Sequence, residues 1–128
     1  MKGMREMRAG RELDRIVAQS VMGHAVTQQK REVFEATPQG TRPLANYTTD
    51  ITAAWEVAEH MAITLVPIQE NSWFALVGRA ERWKSPAEFI KFLGKEDFLN
   101  AGAAVGETAA LTICEAALNS IRVSGSNY

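Results

Sequence analysis

The sequence predicts an α/β (α+β) fold, a small antiparallel β-sheet sandwiched by α-helices in a single domain, and three observations predict it. Tyr47-Thr48-Thr49-Asp50 sets capping-type residues directly before the amphipathic run Ile51-Thr52-Ala53-Ala54-Trp55-Glu56-Val57, which marks a helix start. Two apolar runs, 63–68 and 73–80, flank the turn residues Gln69-Glu70-Asn71-Ser72 and predict a hairpin. Apolar residues recur at Ala110, Leu111, Cys114, Ala117, Leu118 and Ile121, which predicts a last helix over 107–121.

Taken in order, a first helix is expected over 8–22, with Leu13, Ile16, Val17, Ser20 and Val21 inward and Gly23 as its stop. Residues 24–46 carry Pro38, Gly40 and Pro43 and predict a long connection with one short strand around 33–36. A connection of that length is either functional or used in subunit contacts. The second helix, 50–61, is expected to turn Ile51, Ala54, Trp55, Ala58 and Ala62 to the core. Pro67 puts the end of the following strand at an edge or bulge. The strand 73–80 is apolar on both faces, which predicts cover from helices or another subunit. Ser85-Pro86-Ala87-Glu88 is a well-formed helix start, so a short docked helix is expected over 86–93. The domain is expected over 8–122, between a loose 1–7 and a frayed tail, 123–128.

Composition narrows the function classes. The chain has 128 residues, and its 14 basic and 15 acidic side chains give a net charge of −1, unsuited to coating DNA or RNA. A small phosphate-bearing ligand needs only local cations and stays open. Cys114 is the single cysteine, so no intramolecular disulfide can form and a reducing compartment is expected. Its apolar neighbours predict a buried, inert thiol. No apolar run approaches the roughly 20 residues of a membrane span, and residues 1–7 lack the apolar stretch of a signal peptide, so a cytoplasmic protein is expected. With two histidines and one cysteine, no metal-ligand spacing is present, and neither a metal nor another cofactor is expected.

Three segments, in this order, resemble the phage ABA sandwich domain family. They are Ala9-Gly10-Arg11-Glu12-Leu13-Asp14 with Val17-Ala18 and Val21-Met22-Gly23; Tyr47-Thr48-Thr49-Asp50-Ile51 with Ala53-Ala54-Trp55-Glu56-Val57; and Glu107-Thr108-Ala109 with Ile113-Cys114 and Ala116-Ala117-Leu118. The chain departs from the family at His24, where an aromatic is common, and at Ala110 and Glu115, where a proline and a basic residue are common. Members with known activity resemble the first Thoeris anti-defence family. Those are non-enzymatic sponges that sequester cyclic ADP-ribose-type signals made by bacterial TIR proteins, form multimers up to hexamers, and in some cases also bind cyclic oligonucleotides. The resemblance therefore implies a homo-oligomer in an infected or lysogenic host that binds cyclic ADP-ribose-type signals, and cyclic di- or trinucleotides as a further class. It implies no catalytic residue.

A sponge for a dianionic nucleotide needs aromatic platforms, cations and free N–H groups at helix starts. The candidate ligand-binding residues are His24, Arg42, Tyr47, Thr48, Thr49, Trp73, Arg79, Arg82, Gly106 and Thr108. Phe74 and Trp83 are further platforms and Lys84 a further cation. Each has a plainer reading: Thr49 or Asp50 capping its own helix, Trp73 filling the core, Arg79 and Arg82 guarding a sheet edge. Trp55 is assigned to the core, and His60 to an exposed pair with Glu56 one turn earlier. A carboxylate hydrolase built on Glu12, Asp14, Asp50 or Glu107 fits poorly, since these read as caps and exposed turns. A further alternative is an accessory protein that binds a host protein through an apolar surface and takes no nucleotide.

Overall fold

A computed structural model of the chain describes residues 9–68, 71–77 and 102–123, so the expected helix 86–93, Arg79, Arg82, the loose 1–7 and nearly all of the tail lie outside the described residues. Helix α1 (Arg11–Ile16) continues into a π-type turn, Val17–Val21. Leu13, Val17, Ala18 and Val21 are buried, as the periodicity requires. The wide turn closes through the Met22 N–H on the Val17 carbonyl at 3.0 Å and the His24 N–H on the Ala18 carbonyl at 2.8 Å. Gly23 takes φ 75°, the left-handed conformation that ends helices of this kind. The stop expected at Gly23 is thus also what aims His24.

Residues 24–46 are not a connection with one strand. They form a three-stranded antiparallel meander: β1 (Ala25–Gln29), β2 (Glu32–Thr37) and β3 (Gly40–Pro43). Two-residue turns join the strands, with Lys30 at φ 59° in the first. In the second, the Thr37 hydroxyl donates to the Gly40 carbonyl at 2.8 Å and accepts from the Gln39 N–H at 3.1 Å. Val26, Glu35 and Arg42 lie opposite one another across the three strands and so share a face. Val26 and Val33 on this face pack against the main core.

Helix α2 (Ile51–Met61) starts as expected, with the Asp50 carboxylate accepting from the Thr52 N–H at 3.0 Å. Its buried face is Ala53, Ala54, Val57 and Ala58, and Trp55 and Ile51 stand outside it at 50% and 46% exposure. The assignment of Trp55 to the core is therefore corrected. Ala54 and Ala58 belong to both candidate stripes, and the helix turns its smaller residues to the last helix, Ala109–Val123, where close approach of two helices favours small side chains.

The expected hairpin is β4 (Ile63–Ile68) with β5 (Ser72–Val77), and Pro67 lies on β4, an edge strand of its sheet. A strand not anticipated, β6 (Ala103–Gly106), pairs with the other side of β5. Among the described residues the fold thus holds two three-stranded antiparallel sheets in place of one small sheet, a second correction. Helix α3 (Ala109–Val123) joins the halves. Ala110, Ile113, Cys114, Ala117 and Leu118 enter the main core with α1 and α2, while Ala116 packs on Ala75 and Ala104 of the second sheet. Cys114 is fully buried, and burial pushes its thiol up to about 12, so it stays protonated and inert. Among the described residues, no helix is long and apolar enough to cross a membrane.

Candidate functional site

Glu35 is fully buried at the centre of β2, where alternation with Val33 directs it inward. Four donors surround its carboxylate. Oε1 accepts from His24 Nδ1 at 2.7 Å and from the Tyr47 hydroxyl at 2.7 Å. Oε2 accepts from the Ala45 N–H at 2.9 Å and from Arg42 Nε at 3.2 Å. Arg42 continues outward to Glu56, with Nη2 on Oε1 at 2.8 Å, and also donates to the Tyr47 oxygen at 3.1 Å. The chain therefore assembles His24–Glu35–Arg42–Glu56 around one buried tyrosine.

The titration directions follow from this geometry. Burial pushes Glu35 upward, but the hydrogen bonds from His24, Tyr47 and Ala45 and the charge of Arg42 outweigh it and hold the carboxyl below its ordinary value. Arg42 is raised, first by its hydrogen bond to Glu56. Tyr47 is raised by burial and by the Glu35 carboxylate, so its hydroxyl remains a donor. An ionised Glu35 only accepts, so His24 carries its proton on Nδ1. Nε2, the other ring nitrogen, is then the atom left for a further partner.

A cleft of about 460 Å³ opens above this network, lined by residues that include Met22, His24, Gln39, Arg42, Glu56 and His60. That volume lies within the usual range of small-molecule sites. His60, one turn beyond Glu56, borders the cleft and is not merely a surface partner. No group of three or more metal-ligating side chains occurs among the described residues.

The second buried carboxylate, Asp14, does different work. Its Oδ1 accepts from the Thr48 N–H at 2.9 Å and the Thr48 hydroxyl at 2.7 Å, and its Oδ2 from Arg11 at 3.0 Å. Arg11 also reaches the Leu44 carbonyl at 2.9 Å and the Asn46 side chain. The Gly10 N–H donates to the Thr48 oxygen at 2.9 Å. The Gly10–Asp14 and Tyr47–Asp50 segments thus latch to each other. Cys114 of the third segment adds a contact to the Tyr47 carbonyl at 3.3 Å. Asp14 is 1% exposed, which corrects its reading as a cap or exposed turn.

The structure sorts the candidate residues into groups. His24, Arg42 and Tyr47 meet around Glu35. Thr48 is committed to Asp14, and the N–H groups of Thr49 and Asp50 are taken by the Asn46 carbonyl at 3.2 and 2.8 Å. Trp73 and Gly106 lie opposite each other on β5 and β6, at the far sheet. Thr108 caps α3, its hydroxyl accepting from the Leu111 N–H at 3.2 Å. Gly106 is required there, because a Cβ would come within 2.5 Å of the Thr112 hydroxyl. Glu115 approaches the same place, and burial raises its carboxyl. Sequence reasoning missed Glu35 and Glu56 as site residues. The available signal was parity: an acid on the Val33 face of a strand must be satisfied from within.

The profile of the phage ABA sandwich domain matches residues 15–118 of this chain. A crystal structure of a phage protein from Bacillus cereus ATCC 14579 is similar, with a TM-score of 0.59 and 16% identity over 94% of this chain and 98% of that one. At that identity the likeness speaks for the fold alone. No curated protein matches significantly.

Proposed function

The chain belongs to the phage ABA sandwich domain family, and from that premise we propose that it is a phage anti-defence sponge: it binds cyclic ADP-ribose-type immune signals, with cyclic oligonucleotides as a further class, and releases them unchanged. The observation that supports the reading best is the cleft above the Glu35 network. It is large enough for a nucleotide moiety, and its polar groups are held in place by a buried carboxylate, so little ordering cost is left for binding. Tight sequestration demands this kind of preorganisation. Nanomolar binding corresponds to about −12 kcal/mol, which a flexible surface patch does not reach.

In this reading the protein acts in the host cytoplasm as a homo-oligomer, up to a hexamer, and uses no metal or cofactor. His24 and Arg42 border the ligand, and Tyr47 positions them through Glu35. Trp73, Gly106 and Thr108 belong to a second contact region at the other sheet, and Arg79 and Arg82 are further candidate contacts from the sequence. The test is to heat-denature purified protein and analyse the supernatant, then titrate glycocyclic ADP-ribose isomers and cyclic trinucleotides by calorimetry. Intact recovered ligand and saturable binding support the sponge. Turnover of the nucleotide contradicts it, as does failure of every nucleotide to bind.

A second reading rests on a separate observation. Ile51 and Trp55, one turn apart on α2, are both about half exposed, and such a pair suits a protein contact. Under this reading the chain binds a host protein through an apolar surface and takes no nucleotide. Retention of a host protein by wild type but not by Trp55→Ser, with no nucleotide released on heating, is its signature.

A further inference from the structure

Hydrogen-bond capacity at the cleft decides what kind of ligand group it accepts. Arg42 has five N–H donors, and its bonds to Glu35, Tyr47 and both Glu56 oxygens occupy four of them. It therefore has little left to offer a phosphate. The fixed charges point the same way: one guanidinium stands between two carboxylates, Glu35 and Glu56. A dianionic group placed there would meet net negative charge.

The unused capacity is of the opposite kind. Glu56 is 42% exposed and keeps lone pairs beyond those used by Arg42. His24 is nine-tenths buried, its Nδ1 is held by Glu35, and its Nε2 has no partner among the described residues. Both residues line the cleft. A carboxylate recognises donors, and a carboxylate beside an imidazole nitrogen matches the paired hydroxyls of a ribose, each of which can both donate and accept.

We propose that this cleft takes the vicinal hydroxyls of a ribose, one donating to the Glu56 carboxylate and the other paired with His24 Nε2, with Arg42 as a positioning residue that holds Glu56. The assignment rests on the nucleotide-binding reading and changes one part of it: the phosphates lie outside this cleft. Arg42, the cation that the sequence offered for phosphate, is spent on holding two acceptors in place.

The experiment is calorimetric titration of glycocyclic ADP-ribose and of its 2″-deoxy and 3″-deoxy analogues into wild type and Glu56→Ala. In wild type, at least one deoxy analogue should bind about ten- to a hundredfold more weakly, the loss expected for a hydrogen bond to a charged group. In Glu56→Ala the same analogue should differ from the parent by no more than about threefold, because the acceptor for the missing hydroxyl is gone. Glu56 lies partly in solvent, so the variant should fold, and the wild-type comparison needs no variant at all. If wild type binds the parent but neither deoxy analogue is weakened, or if the penalty is equally large in Glu56→Ala, the ribose assignment falls and the sponge survives. If wild type binds neither glycocyclic ADP-ribose nor its analogues, the ribose assignment falls, and if cyclic trinucleotides fail to bind as well, the sponge falls with it.

Discussion

Asp14 and Glu35 are both buried carboxylates, each ringed by donors, yet one closes a fold and the other opens onto a cleft. Every partner of Asp14 is local scaffolding: Thr48 twice and Arg11, which in turn clamps the Leu44 carbonyl. The partners of Glu35 include two side chains, His24 and Arg42, that border open space. The difference shows that burial and satisfaction do not by themselves mark a functional acid. What marks it is where its partners lead.

The largest expected effect separates the two directly. Asp14→Ala leaves the Thr48 N–H unpaired in the interior and takes the carboxylate from the Thr48 hydroxyl and Arg11, and should cost about 3 kcal/mol of stability, read from urea unfolding. Protein that remains folded should keep its ligand affinity, since no Asp14 partner lines the cleft. A cost below about 1 kcal/mol would break the latch account.

Glu35→Gln should cost less stability, about 2 kcal/mol, because the amide still accepts from two donors but opposes the others. It should also lose ligand affinity, because His24 and Arg42 lose their common anchor. The pH dependence sharpens the same point. The folded Glu35 carboxyl sits below its ordinary value of 4.5, so the stability it contributes is complete above that value. It is lost as pH falls further, through the lowered value. Urea midpoints measured from pH 7 to pH 3 should decline more steeply on the acid side in wild type than in Glu35→Gln. Parallel curves would mean that Glu35 is not held as drawn.

The smallest effect belongs to a residue outside both networks. Trp55→Ser should change thermal stability by no more than about 0.5 kcal/mol, as expected for an exposed position. A buried tryptophan would cost about 3–5 kcal/mol, so the same melt tests the correction made at α2. Light scattering on this variant also reports whether the Ile51–Trp55 face contributes to self-association.

Much of the helical framework was legible in the sequence, and the reasons are local. Asp50 caps α2, Gly23 ends the first helix, and the Cys114 stripe faces the core because capping and periodicity are written in adjacent residues. The first sheet was not legible. Its strands run four to six residues and carry Gln, Glu and Thr on their outer faces, so the alternation is faint and the turns resemble loop. The orientation of α2 failed for another reason: Ala54 and Ala58 fit two stripes, and only the partner helix decides between them. At the site, His24, Arg42 and Tyr47 were found individually. The acid that unites them was hidden, because the role of Glu35 comes from strand register across β1 to β3. Parity with Val33 marks Glu35 as inward, but short-range pattern does not say which donors meet it there.

The most direct measurement is calorimetric affinity for glycocyclic ADP-ribose set beside unfolding free energy for wild type, Asp14→Asn and Glu35→Gln. The account predicts that Asp14→Asn loses stability while its folded fraction binds like wild type, and that Glu35→Gln, although folded, binds at least about tenfold more weakly, the loss of roughly one charge-assisted hydrogen bond. Equal affinity in wild type and Glu35→Gln, or an affinity loss in Asp14→Asn as large as that in Glu35→Gln, would contradict it.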